Sequence, residues 1–149
     1  MTTAPTTLLS PSAVMRDDVP VIRLYVMRAA YLLVAIGMGI QVWPGIVSHG
    51  DVELSRSVVR AMLGALTALC LVGVRYPLKM LPMLFFEFAW KSIWLLSFAL
   101  PLALAHRPMN PGFSDTVTAC LLGVVVCPIA IPWVYVFRHY VTARGDRWR

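Results

Sequence analysis

The sequence predicts an all-α integral membrane protein, a bundle of four transmembrane helices. Three observations carry this reading. The chain of 149 residues is 59% hydrophobic and only 13% charged, which lies outside the range of soluble globular domains. Four long apolar stretches divide it, and none shows the polar face that a soluble bundle turns to water. Apart from Glu87 and Lys91, the charged residues gather at or beyond the ends of those stretches, where membrane helices meet lipid headgroups. By length the chain forms one domain.

Residues 1–20 form a tail rich in Thr, Ser and Pro, read as disordered and cytoplasmic. The tail has neither the basic start nor the apolar run of a signal peptide. A transmembrane domain follows over 21–141, with helices expected at about 24–46, 57–76, 80–104 and 117–137, and a basic tail closes the chain over 142–149. The first helix centres on residues 29–43. The apolar core of the second, 61–74, rises only about 21 Å against a hydrocarbon layer of about 30 Å. It spans once 57–76 is counted and Arg60 and Arg75 extend their charges outward. The fourth contains Pro128 and Pro132. Each lacks a backbone donor, so the carbonyls of Val124 and Pro128 lose their usual partners and a kink is expected.

Orientation follows from the cations. Arg16, Arg23, Arg28, Arg75, Lys79, Arg138, Arg144, Arg147 and Arg149 fall on one side, against Arg56, Arg60 and Arg107 on the other. Nine against three places both termini in the cytoplasm. The formal net charge of +6 does not indicate nucleic-acid binding, because these cations form no continuous face. The marked preference for Arg over Lys, with high Ala and Val, suggests a GC-rich bacterial genome.

The third helix holds the candidate site. Glu87 and Lys91 stand four residues apart near its middle, in the favoured order for an ion pair. An ionisable group at mid-bilayer costs roughly 2.5–3.5 kcal/mol on insertion scales, so it marks a functional site by default. The structural alternative is a self-neutralising pair that pins the helix toward the bundle interior. Trp90 and Trp94 lie too deep for an interfacial belt and flank the pair. The short connection 75–79 makes the second and third helices an antiparallel hairpin. That register sets Glu87 level with Thr67 and Lys91 level with Gly64. Ala61 with Ala65, and Gly64 with Ala68, repeat small residues at four-residue spacing, a pattern that lets membrane helices approach closely. Opposite the pair, such a stripe would hide it from lipid.

Other residues exclude chemistries. His49 and His106 fall in outward loops and His139 lies past the fourth helix, so no span offers an axial ligand for haem. His49, Asp51 and Glu53 match no defined metal spacing. Cys70, Cys120 and Cys127 lie in apolar stretches without a C-x-x-C, and read as small packing residues; the last two share one helix face. No cofactor and no metal is expected, and no hydrolase, metalloprotease, phosphate-loop or dinucleotide motif occurs.

The stretch Arg75-Tyr76-Pro77-Leu78-Lys79-Met80-Leu81-Pro82, continued by Glu87-Phe88-Ala89-Trp90-Lys91 and later Ile131-Pro132-Trp133, resembles an uncharacterised bacterial family. Its general shape is similar to the small four-helix membrane proteins of the DoxX-like group. The resemblance covers residues 20–140 in architecture and implies an inner-membrane protein, with no catalytic motif carried over. The expected role is non-enzymatic: an accessory, membrane-organising or small-ligand-binding component. Its partners are the bilayer and either a second copy or another membrane subunit. One rival is a small proton- or cation-coupled transporter using Glu87. A further rival is a lipid- or quinone-handling subunit with Trp90 and Trp94 as stacking surface. Polar groups in the spans are Gln41, Thr67, Glu87, Lys91, Ser92, Ser97 and Thr118, thin for a transport path and adequate for one buried site.

Overall fold

The computed structural model describes residues 19–48, 53–106 and 110–142, and within them every regular element is helical. Residues 1–18 of the predicted tail, His49 and Asp51 of the outward loop, and residues 143–149 of the basic tail lie outside the described residues. Four helices are long and apolar enough to cross a membrane: α1 (Val21–Val47), α2 (Leu54–Arg75), α3 (Leu81–Leu104) and α4 (Pro111–Ala130). A short α5 (Trp133–Val136) runs into a π-helical turn, Phe137–Val141.

The core is a narrow strip along each helix. Met27, Ala30, Tyr31, Val34 and Val42 recur on one face of α1, while Ile22, Leu33, Ile36 and Ile40 are apolar yet exposed. A soluble protein would not leave such side chains outward; a helix in lipid gains by it. α1 packs along α2 and α3 along α4, and the contacts α1–α4 and α2–α3 that join the two pairs are sparser.

Small residues draw α1 and α2 together. Gly64, Thr67, Cys70 and Gly73 are buried at three-residue intervals on α2. A methyl group on Gly64 would stand 2.7 Å from the Ile46 side chain, and one on Gly73 would stand 2.7 Å from the Tyr31 ring. The stripe expected to face the third helix therefore faces the first, and Ala61, Ala65 and Ala68 are exposed. A short hairpin turn does not determine the direction in which α2 turns its small face. Tyr31, fully buried, donates its hydroxyl to the Pro77 carbonyl at 3.0 Å and so ties α1 to the connection between α2 and α3. At the opposite end the Arg60 guanidinium lies against Gly45, near the carbonyl end of α1 where a cation is favoured.

The bounds of α4 differ from the stretch 117–137. The helix starts at Pro111 because Asn110 accepts a hydrogen bond from the Phe113 amide at 2.7 Å and proline suits the first helical position. It stops at Ala130 because Pro132 forces Ile131 into an extended conformation, with ψ 124°. Where a single kinked helix was expected, the chain breaks and restarts at Trp133. The Pro128 carbonyl, left without its helical partner, accepts from the Trp133 indole at 2.9 Å. The Ile131 carbonyl accepts from Arg23 of α1 at 3.2 Å. In α3 a π-helical turn, Leu95–Ala99, precedes Pro101; the Leu100 amide reaches back to Leu95, and Pro101 has no amide to continue the regular ladder.

Candidate functional site: a closed ion pair in the third helix

Glu87 and Lys91 fall on the inward stripe of α3 with Leu81 and Leu84, and both are buried. Four residues make one helical turn, so their side chains meet on the same face. The Lys91 Nζ stands 2.5 Å from Glu87 Oε1. Trp90, at the other neighbouring position of that turn, donates its indole N–H to Oε2 at 2.6 Å. The ammonium also lies 5.5 Å from the centre of the Trp90 ring. One turn of helix thus supplies both partners of its own carboxylate, and Oε1 has no donor besides the ammonium.

What encloses this set comes chiefly from α4. Cys120, Gly123, Cys127 and Ala130 are buried on one face of that helix. A methyl group on Gly123 would stand 2.6 Å from both Cδ and Nζ of Lys91, so the lysine occupies the space that a side chain there would fill. On α2, Cys70 is buried as well, so all three cysteines face the inside of the bundle. They are free, buried and belong to two different helices. Among the described residues no three His, Cys, Asp or Glu side chains are grouped to hold a metal ion.

The remaining sequence candidates are engaged elsewhere. Thr67 is buried, donates to the Gly64 carbonyl at 2.8 Å and accepts from the Trp43 indole at 3.0 Å, which closes the α1–α2 seam. Trp94 packs its ring on Phe113 at 5.2 Å and joins α3 to the start of α4. Lys91 and Gly64 were expected at one level and facing; Gly64 is instead filled by Ile46 and Val42, and Lys91 lies on Gly123. Gly123 is the residue that sequence reasoning missed. The signal was present: Cys120, Gly123, Cys127 and Ala130 repeat small side chains at helical spacing, as the stripe of α2 does.

A groove of about 470 Å³ runs outward along the α3–α4 seam between Leu95, Leu96, Ala99, Val117, Leu121 and Val124. It ends at Ser92, beside Lys91, whose hydroxyl donates to the Phe88 carbonyl at 2.7 Å. No charged side chain lines it. Chemically, the arrangement can hold two opposite charges away from lipid without a third charged group. Compared with protein-family models, with curated proteins and with solved structures, the chain matches none.

Proposed function

We propose that this chain is a non-enzymatic, multi-pass inner-membrane protein with both termini cytoplasmic, acting as an accessory or membrane-organising component. The observation that carries the proposal is the closure of the ion pair. Glu87 meets its needs from Lys91 and Trp90 of its own helix, and Gly123 seats the lysine against α4. In this reading the pair locks α3 to α4 in a fixed rotation, because turning α3 would carry charge into lipid and turning α4 would take Gly123 from beneath the lysine. The bilayer is the first partner, and a second copy or another membrane subunit the next.

A second reading is favoured by one feature, the single donor at Glu87 Oε1. A buried carboxylate inside a membrane span is a candidate site for proton-coupled work. Proteoliposomes holding a pH-sensitive dye separate the two. The lock reading expects no proton flux that depends on Glu87 under an imposed gradient. Flux that Glu87→Gln abolishes would replace it with the transporter reading.

A further inference from the structure

The seam between α1 and α4 carries a charge and a groove in line. Arg23 stands two residues into α1 and gives one of its five N–H donors to the Ile131 carbonyl, where α4 has broken off. Above it, Val26, Ala29, Ala30 and Leu33 follow at intervals that keep one helical stripe. With Val126 and Ile129 of α4 they line an apolar groove of about 310 Å³ that faces the surroundings of the bundle. Ile129 lies two residues before Ile131, so the guanidinium sits at the groove's headgroup end. Arg28, Arg75 and Lys79 stand at the same end of the bundle, each over a tyrosine ring. Among the described residues the carboxylates are Glu53, Glu87 and Asp115, none of them at this end.

From this alignment we infer that the α1–α4 seam binds an anionic phospholipid. Its phosphate rests on Arg23 and one acyl chain lies along Val26, Ala30 and Ile129. The helix break is part of the device: it frees the Ile131 carbonyl that steers Arg23 across the seam, and the guanidinium keeps its other donors for phosphate oxygens. A zwitterionic lipid brings its own cation and gains less from the same field. This site is separate from the Glu87–Lys91 pair and does not depend on the role given to that pair.

Native mass spectrometry of the full chain in detergent, titrated with phosphatidylglycerol and with phosphatidylcholine of matched chains, tests it. The wild type should retain phosphatidylglycerol in preference. Arg23→Gln should lose roughly fivefold of that preference, the effect of about one interfacial cation. Arg28→Gln, with the same change of net charge, should keep most of it. Ala29→Phe fills the groove from its exposed side without touching the Arg23 bond, and should lower retention of both lipids. Equal losses from the two arginine variants, or unchanged retention in Ala29→Phe, would overturn the site. If Arg23→Gln does not fold, Ala29→Phe alone decides.

Discussion

Lys91 of α3 lies in the space that Gly123 of α4 leaves open: a methyl group there would stand 2.6 Å from the lysine's Cδ and Nζ. The contact turns a feature of one helix into a contact between two. Had Glu87 and Lys91 only each other, α3 could rotate with little penalty to the pair itself. Seated on Gly123, the charge fixes which way α3 faces.

Gly123→Ala should therefore destabilise the bundle, and Gly123→Leu more severely, because the displaced ammonium is buried and paired. The loss should shrink in a Glu87→Gln, Lys91→Ala background, where no long side chain occupies the space. Thermal unfolding of the four proteins in detergent gives the coupling. Equal losses in both backgrounds would show that Gly123 serves something other than the lysine.

Trp90→Phe keeps an aromatic ring, though a smaller one, and removes the 2.6 Å donation to Glu87 Oε2. A hydrogen bond to a charged group contributes about 1.5–3 kcal/mol. Unfolding in detergent should register a loss in that range, whereas Trp94→Phe, whose ring packs on Phe113 and gives no bond to the pair, should cost less.

At the turn joining α2 and α3, Tyr31→Phe deletes the bond to the Pro77 carbonyl and should cost about 1 kcal/mol. Gly73→Ala should cost more, since its methyl would meet a rigid ring at 2.7 Å rather than a flexible chain end. Equilibrium unfolding decides the order of the two.

Reporter fusions test the orientation. With nine cations on one side and three on the other, a C-terminal green fluorescent protein should fluoresce and a phosphatase inserted in loop 49–53 should be active. Phosphatase activity from a C-terminal fusion would reverse the topology.

Much of this fold was legible in the sequence because hydropathy and length decide what crosses a membrane. That four helices are long and apolar enough to cross a membrane needed no tertiary information. The start of α4 was less visible, since residues 111–116, apart from Phe113, are polar or small and read as loop by hydropathy. Asn110 followed by Pro111 was the better signal, a cap and a first-turn residue side by side. The ion pair was legible in its own helix, where Glu87 and Lys91 stand four residues apart, but the Trp90 donation to Glu87 was not. Nor were the pair's surroundings. A short turn does not determine which way α2 faces, and α2 spends its small stripe on Tyr31 and Ile46 of α1. Only packing reveals that α4 takes the place opposite Lys91.

The most direct test of the central claim is a double-substitution cycle at Glu87 and Lys91. Removing one partner strands a buried charge, at about 3–5 kcal/mol, whereas removing both leaves no charge to bury. Glu87→Gln and Lys91→Met should each lower stability in detergent sharply, and the double variant should recover most of the loss. Mild, additive losses from the two single variants, with cross-linking that places residue 87 toward lipid, would contradict the closed pair.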